Sequence, residues 1–423
     1  MSARPIFPVL VSVLSGAAAI AAEAPSRNPP TQSWFPKAPP LAQPTGQIIR
    51  VTTVEQLFRA AEDVKAGGTI LLADGHYTIP RYFELHTDDV TMRSESGRRD
   101  RVILDGAQSR HRELVGITNC SGVTVADLTI QNIGANGFKI NSDRFATKVT
   151  IYNCIIHNIW QRGVKGPAVR AEDRQRFRPS DCRIQFCLFY NDHPKRYEDD
   201  PADTAATFGG NYVGGIDAMY PRHWTISDNV FMRIQGRTRA ARGAVFLWQN
   251  AEACIVERNI IIDCDTGICL GNSFKPADVP IHCRGCIVRN NFVTRCPEQG
   301  ILGDYTRDCR ILHNTIHDPS SRLQRLIRLV HENDGMVVAN NLLSGPAMRI
   351  ESTSTVQAGG NVMKNLTDEF VDPADGNLHL KRRVPGVVDA ARQSDDVRTD
   401  IDGRQRDAKP DVGADEWDGP QPG

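Results

Sequence analysis

The chain has 423 residues with 50 basic and 50 acidic side chains, so its formal net charge at neutral pH is zero. That balance argues against a general nucleic-acid or membrane-surface binder, which would carry a basic excess. A hydrophobic content of 40% with 24% charged residues is that of a folded globular protein and excludes an intrinsically disordered one.

Residues 1–22 predict a cleaved secretory signal peptide. One Arg precedes an apolar run, and small residues follow around Ala19 to Ala22. The run is too short for a membrane span, and no later run approaches that length. We therefore expect a secreted or periplasmic protein without a membrane span. Residues 23–47 are Pro-rich and predict an extended lead-in.

Residues 48–105 predict an N-terminal cap and the first coils of a repeat structure. An amphipathic helix is expected over Val54 to Lys65, followed by a strand. The open end of a repeat fold exposes its core and unpaired strand edges, so that a capping element is required there.

Residues 106–365 repeat themselves about every thirty residues. Short segments rich in Val and Ile return with an Asn at the same place, as in "IVERNII" and "IVRNNFV". In stacked coils an interior Asn can hydrogen-bond to the Asn above and below it, whereas sandwiches and barrels have no reason to repeat that position. The pattern therefore predicts a parallel β-solenoid. The repeated position is held by Cys154, Cys187, Asn229, Asn259, Asn291, Asn314 and Asn341, with Leu128 in the same column.

Two further columns accompany this ladder. Five residues before it stand Cys182, Trp224, Cys254, Cys286 and Cys309. We expect the cysteines of this column to stack inside as free thiols, although an exported chain could also form disulfides. A Gly opens a second strand at Gly137, Gly163, Gly215, Gly243, Gly267 and Gly300. Because side chains alternate across a strand, the outward column is expected to be Lys139, Lys165, Asp217, Val245, Cys269, Leu302 and Arg328.

Residues 366–423 are polar and rich in turns, and they predict a segment that closes the other end. Their "DIDGRQRDAKPDVGADEW" is similar to the "D-x-D-G…D-x-G-A-x-E" tail of bacterial exported β-helix proteins. The opening "VTTVEQLFRAAEDVKAGGTILLADGHY" with "VTMRSESGRRDRVILDG" resembles the cap and first coils of secreted right-handed parallel β-helix proteins. The repeats resemble the general parallel β-helix repeat of pectate lyases and their relatives.

The resemblance covers residues 48 to 418, and the nearest enzymes in this pectate lyase-like superfamily are the chondroitinase B and alginate lyase group. It implies an all-β fold, a single-stranded right-handed parallel β-helix with an N-terminal capping helix. It also implies a type of site, in which a Lys and an Arg on the outer face of a sheet accompany a Ca²⁺ ion. No catalytic motif of that group matches residue by residue, and we expect no cofactor other than Ca²⁺.

The line of Lys139, Lys165 and Asp217 is the first candidate site. Directly stacked lysines are unfavourable without an anionic ligand or partner, although Asp217 could simply pair with Lys165 on a solvated stripe. Guanidinium groups bind carboxylates, and aromatic faces stack on sugar rings. Basic and aromatic residues in the neighbouring loops therefore favour an acidic polysaccharide as partner, although Arg-rich loops can also serve only to keep a protein soluble. The neighbouring loops supply Trp160, Arg162, Tyr220, Arg222, His223, Arg237, Arg239 and Arg242.

On a uronate polymer these residue types fit β-elimination by a polysaccharide lyase. Lys165 is the candidate base, since nearby positive charge lowers the pKa of a lysine. Arg162, His223 or Arg239 would neutralise the substrate carboxylate or protonate the leaving oxygen. Asp217 would orient the base or help to hold Ca²⁺.

Two other functions remain open, because the same fold hosts all three. A glycoside hydrolase needs two carboxylates about 5–9 Å apart, and Asp217 could act with Asp263, Asp265 or Asp304. A non-catalytic carbohydrate-binding or envelope protein needs no such pair of carboxylates. In each case we expect a monomer.

Overall fold

The computed structural model describes residues 29–107, 113–174 and 176–419. The predicted signal peptide and the first residues of the lead-in lie outside them. The chain forms two units, Met1–Ser33 and Trp34–Gly423, and the described part of the first, residues 29–33, contains no helix or strand. No helix in the described ranges is long and apolar enough to cross a membrane.

Three parallel sheets, here called A, B and C, make up most of the described structure, and successive coils add a strand to each. Sheet A comprises Ile48–Val51, Thr69–Leu72, Thr91–Ser94, Thr124–Ala126, Thr150–Tyr152, Arg183–Gln185, Thr225–Ser227, Ile255–Glu257, Ile287–Arg289, Arg310–Leu312, Val337–Ala339 and Gln357–Gly359. Sheet B comprises Gly75–Thr78, Val102–Asp105, Thr129–Ile133, Ile155–Ile159, Leu188–Tyr190, Val230–Met232, Ile260–Ile262, Phe292–Thr294, Thr315–His317, Leu342–Ser344 and Val362–Met363. Sheet C comprises Phe83–Leu85, Glu113–Ile117, Asn136–Ile140, Arg162–Gly166, Gly214–Met219, Val245–Trp248, Ala251–Glu252, Thr266–Leu270, Cys283–Arg284, Gln299–Arg307, Ile327–Asp334 and Arg349–Ser352.

Like positions of neighbouring coils lie over one another. Val256 of sheet A, for example, pairs in parallel with Ile226 on one side and Val288 on the other. A typical chain turn therefore contributes a strand to sheets A, B and C in order, and the predicted single-stranded parallel β-helix is confirmed.

A single α-helix in the described residues, Val54–Asp63, covers the first coil and confirms the predicted cap. Thr53 caps its N-terminus by accepting a hydrogen bond from the Gln56 N–H. Leu57 and Ala60 are buried on the side that faces the strands. The remaining elements are four 3₁₀ helices and an antiparallel pair: Ser142–Arg144, Ala171–Asp173, Tyr197–Asp199 and Thr367–Glu369, then Phe370–Asp372 with Asn377–Leu380.

The Asn ladder forms as expected and is one rung longer. The side-chain amide of Asn259 donates to Asn291 Oδ1 at 3.0 Å, and the amide of Asn291 donates to Asn314 Oδ1 at 2.9 Å. Asn341 continues the series onto Asn361 at 2.9 Å. These buried amides also bond to backbone carbonyls, so their polar atoms are satisfied inside an apolar core.

The left-handed turn between sheets A and B falls one residue earlier than the ladder. Asn290, with φ of 51°, and Asn340, with φ of 57°, precede ladder residues. Ladder residues such as Asn291 point inward instead, so the turn and the ladder use different residues. The same turn position is taken by Asp127, Asn153, Phe186, Asp228, Arg258 and His313, all at positive φ.

The Cys column lies in the interior, and all eleven cysteines are buried and free. The Gly column is also needed there, because a Cβ on Gly137 would lie 2.7 Å from Ile130 Cδ1 and 2.8 Å from Gly163 O.

One assignment in the outward column is wrong. Gly243 belongs to a turn with φ of 43°, and Ala244 takes the Gly position.

The strand that follows is therefore displaced by one residue from the predicted alignment. Val245 faces the core, and Phe246 pairs with Asp217 in the outward column.

The C-terminal segment packs along the outside of the solenoid instead of across its last coil. Phe370, Leu378 and Val412 join outward residues of sheet B, such as Ile260 and Ile262, in a second core. Burial of these apolar outer residues accounts for the position of the tail. The lead-in contributes Phe35 to the same core. In the described chain this core includes no residue of sheet C.

Candidate functional site

The outer face of sheet C carries the predicted line of charged residues. Lys139 pairs in register with Lys165, and Lys165 with Asp217, so the three occupy one column on successive coils. Phe246, Cys269 and Leu302 continue the column as a small apolar cluster. The charged and apolar halves of the face therefore meet between Asp217 and Phe246.

Asp217 is the centre of a buried charge cluster. Its Oδ2 accepts hydrogen bonds from Arg162 Nε at 2.7 Å and from Lys165 Nζ at 2.9 Å. Its Oδ1 accepts one from the indole N–H of Trp248 at 2.9 Å. The exposed fractions are 1% for Arg162, 8% for Lys165 and 1% for Asp217. Lys165 and Arg162 thus share one carboxylate oxygen with little exposure to bulk water.

The cations control the protonation of Asp217. Burial alone would raise the pKa of this carboxyl group. The charges and hydrogen bonds of Lys165 and Arg162 outweigh burial and lower the pKa of Asp217 to about 2. Asp217 is therefore ionised at any physiological pH, and one positive charge of the cluster remains uncompensated.

Lys139 belongs to a separate pair on the preceding coil. Its Nζ lies 2.8 Å from Glu113 Oε1, and Asn136 donates to the same carboxylate at 3.1 Å. The side chains of Lys139 and Glu113 are both 26% exposed, so this pair is more hydrated than the one at Asp217. The stacked lysines are each matched by their own acid, and Lys165 is the more buried of the two.

A folded insertion, residues 191–213, forms the wall beside Arg162. Lys195 is fully buried in it and lies 3.2 Å from Asp200 and 2.9 Å from Asp203. Lys195 also donates to the carbonyl of Tyr212, whose ring lies 4.0 Å from the Arg162 guanidinium carbon. The buried lysine therefore holds the aromatic ring against the charge cluster.

Trp160 lies on the same wall and is nearly buried, with its ring stacked on His193 at 4.7 Å. Arg237 packs over Tyr197 at 4.7 Å, and Arg239 lies 3.0 Å from Asp265. Arg242 is exposed and lies near Cys269. Burial raises the pKa of the Cys269 thiol to about 12, and the positive charge of Arg242 opposes that rise. These four residues border the face without contacting Asp217.

Tyr220, Arg222 and His223 lie at the opposite edge, where the strand carrying Asp217 ends. Tyr220 is buried, and Arg222 and His223 are exposed. His223 Nδ1 lies 3.3 Å from Asp181 Oδ1. Among the described contacts of Lys165, Arg162 and Asp217, none involves His223 or Arg239, so the structure does not bring these two to the cluster.

The three other carboxylates proposed for a hydrolase are all engaged elsewhere. Asp263 pairs with Arg295 at 2.6 Å, Asp265 with Arg239, and Asp304 with His331 Nδ1 at 2.8 Å. Burial raises the pKa of Asp304 and of Asp265. Asp304 lies on the third coil after Asp217, roughly 14 Å along the axis at the usual strand spacing. That separation exceeds the distance of about 5–9.5 Å that hydrolases require.

The sequence also offers Asp217 as a Ca²⁺ ligand, and its surroundings do not fit that ion. Ca²⁺ binds about six to eight oxygen ligands, whereas Arg162, Lys165 and Trp248 supply N–H donors to both oxygens of Asp217. One group of three potential ligands, His379, Asp402 and Asp415, occurs in the described chain. Arg404 already lies 2.9 Å from Asp402 and 3.5 Å from Asp415.

Sequence reasoning missed Tyr212, Trp248 and Glu113 as members of the site. Trp248 would have been found from the strand alternation if Ala244 rather than Gly243 had been aligned with the Gly column, because it stands two residues after Phe246. Tyr212 comes from an insertion outside the repeat, and no periodic signal marks it. Glu113 lies in a coil that precedes the first aligned Gly.

Stacked coils around an Asn ladder define a parallel β-helix protein with one charged outer face flanked by insertions. The chain belongs to the family described as right handed beta helix region, whose model matches residues 108–366. That match also confirms the predicted handedness. A comparison with curated proteins found no significant match to the sequence.

Several solved structures are similar to the chain at low sequence identity. The pectate lyase Pel9A is 12% identical with a TM-score of 0.50, over 85% of this chain and 90% of its own. A rhamnogalacturonan lyase is 11% identical with a TM-score of 0.49, over 86% and 96%. PfbA, a surface adhesin of Streptococcus pneumoniae, is 13% identical with a TM-score of 0.49, over 74% and 86%. At 12% identity, the likeness to the pectate lyase Pel9A shows a common fold and does not transfer an activity.

Proposed function

We propose that this protein is an exported polysaccharide lyase that cleaves an acidic, uronate-containing polysaccharide by β-elimination. The observation that carries the proposal is the sharing of one Asp217 oxygen by Arg162 and Lys165 in a nearly buried site. The guanidinium group of Arg162 attracts an anion, and low hydration strengthens that attraction. The name of the pectate lyase of similar fold supports the substrate class, without assigning any residue.

The surroundings of the cluster suit a sugar acid. Tyr212 and Trp248 place aromatic rings beside Arg162 and Asp217, and aromatic faces pack on apolar sugar faces. Arg162 would donate to the uronate carboxylate through Nη2, because its Nε donates to Asp217 and its Nη1 donates to the carbonyl of Gln161. Neutralising that carboxylate makes the proton on the adjacent carbon easier to remove.

Lys165 would act as the base in its neutral amine form, which leaves Arg162 as the cation of the cluster, and Asp217 would position Lys165 through the 2.9 Å hydrogen bond. The base takes the proton beside the carboxylate, the bond to the leaving sugar oxygen breaks, and a double bond forms in the remaining ring. Lys165 then returns the proton to the leaving oxygen, so no water is consumed. His223 and Arg239 lie outside these contacts, and we assign them no step.

The test is a screen of purified protein against polygalacturonate, alginate, chondroitin sulfate and rhamnogalacturonan, with and without chelator. Two quantities are measured together: the ultraviolet absorbance of the unsaturated product, and the concentration of reducing ends. Both should rise with one of the polymers. Lys165→Met should abolish both signals. Lys139→Met, the matched control one coil away, should keep activity.

Other outcomes would redirect the assignment. Reducing ends without absorbance would show hydrolysis, and binding without either signal would show a carbohydrate-binding protein. Full activity in Lys165→Met would remove the proposed base. Loss of activity with chelator, restored by Ca²⁺, would place a required ion at residues other than Asp217. Export is tested separately, by the location of the protein and the N-terminus of its mature form.

A further inference from the structure

A cavity of about 280 Å³ opens near the end of the strand that carries Asp217. Tyr220 lines it and follows Asp217 by three residues, roughly 10 Å along an extended strand. Arg174 and Arg178 line one side, from the segment between sheets C and A, and Glu252 and Arg284 come from the next two coils. The cavity therefore lies beside the charge cluster and is separate from it.

Two buried hydrogen-bonding groups on residues that line this cavity lack a partner among the described residues. The Tyr220 hydroxyl and Arg178 Nε are buried, and neither has an acceptor or donor among the described residues. Tyr220 is only 3% exposed, and burial raises its pKa, so the hydroxyl is a neutral group able to donate. Unsatisfied buried groups cost stability and are rare in native proteins, and two in one cavity point to a ligand that accepts hydrogen bonds.

The charges around the cavity favour an anionic ligand. Arg174 lies 2.7 Å from Asp278, and Arg178 lies 2.8 Å from Glu252. Arg284 is exposed and has no ion pair in the described part of the chain. It stands in register between Glu252 and Arg307, so its charge is the uncompensated one at the mouth of the cavity.

We propose that this cavity is a second sugar-binding subsite, which holds the carboxylate of another uronate unit of the same polysaccharide chain. The inference rests on the proposed function. The carboxylate would accept hydrogen bonds from the Tyr220 hydroxyl and from Arg178 Nε, while Arg284 neutralises it. Once one uronate unit of a polymer is bound at Arg162, a second unit of the same polymer would enter the cavity as an intramolecular step. This raises the affinity for the polymer without any change at the charge cluster.

Binding is measured by calorimetry in the Lys165→Met background, where no cleavage interferes. The probes are uronate disaccharides and hexasaccharides of galacturonate and of alginate, with a chondroitin sulfate hexasaccharide to distinguish a sulfate from a carboxylate. Tyr220→Phe removes only the unpartnered hydroxyl and should weaken binding of a uronate hexasaccharide about tenfold, the size expected for a hydrogen bond to a charged group. The disaccharide, too short to reach both places, should bind equally.

The matched controls separate the cavity from general effects. Arg284→Ala should weaken hexasaccharide binding, whereas Arg307→Ala, in the same column one coil on, should not. Tyr220→Phe should unfold at the same temperature as its parent or a higher one, because the lost hydroxyl was unpaired.

Hexasaccharide binding that is equal in the parent, Tyr220→Phe and Arg284→Ala would overturn the subsite alone. A wild-type protein that neither binds nor cleaves any acidic oligosaccharide would overturn the proposed function and the subsite with it. Tight binding of the chondroitin sulfate probe only, lost in Tyr220→Phe, would overturn the carboxylate assignment.

Discussion

Replacing Asp217 by Asn should destabilise the protein far more than the loss of an ordinary surface charge. Asp217 accepts three hydrogen bonds, from Arg162, Lys165 and Trp248, and is 1% exposed. The substitution leaves two buried cations close together without their counter-charge. Removing one partner of a buried ion pair costs about 3–5 kcal/mol, and we expect Asp217→Asn to lower the free energy of unfolding by that amount.

The assay is urea unfolding of the purified protein, with the control Glu113→Gln on the same face. Glu113 and Lys139 are 26% exposed, and pairs of that exposure contribute about 0.2–1 kcal/mol. Lys165→Met should cost less than Asp217→Asn, because Arg162 still pairs with Asp217. The double variant of Asp217 and Lys165 should cost less than the sum of the two. Equal losses for Asp217→Asn and Glu113→Gln would refute the argument, since they would mean that the cluster is hydrated.

Three further measurements test other parts of the structure. The pKa of Asp217 is lowered from 3.8 to about 2, which contributes on the order of 2 kcal/mol to the free energy of unfolding. This contribution should be complete above about pH 4 and lost as the pH falls through about 2. Acid unfolding of Asp217→Asn should lack this component. Gly267→Ala should cost about 1–3 kcal/mol because its Cβ would strike Gly300 O, whereas Gly359→Ala meets nothing within 4 Å and should be near neutral. All 11 cysteines are free and buried, so a thiol reagent should detect none in the native protein and 11 after unfolding; fewer after unfolding would show a disulfide.

The interior of the fold could be predicted because each coil repeats the same constraint. Asn259 and Asn291 satisfy one another only if their coils stack, so the spacing of the amides in the sequence already contains the three-dimensional arrangement. The same logic gave the line of Lys139, Lys165 and Asp217, which depends on strand alternation over three regular coils. Where one coil enters its strand a residue later, at Ala244, the alternation failed and Val245 was placed on the wrong face.

The walls of the site could not be predicted in the same way, because they come from segments that break the repeat. The position of Tyr212 is set by Lys195, which is buried between Asp200 and Asp203 of the same insertion. No periodicity links Lys195 to the strand of Arg162. The course of the C-terminal tail was missed for a related reason, since "DVGADEW" is polar and turn-rich and does not reveal that Val412 and Ala414 pack outside sheet B.

The charge cluster and the insertion depend on one another physically. On a bare sheet face, Arg162, Lys165 and Asp217 would be hydrated, and their pairing would contribute little. The ring of Tyr212 covers Arg162 on one side, and Trp248 on the next coil covers Asp217 on the other. This cover lowers the effective dielectric constant and makes an uncompensated cation a strong anion-binding group. A variant that removes the ring, Tyr212→Ala, should therefore weaken binding of an acidic oligosaccharide. Unchanged oligosaccharide binding by Tyr212→Ala, measured by calorimetry, would show that the insertion does not control the electrostatics of the site.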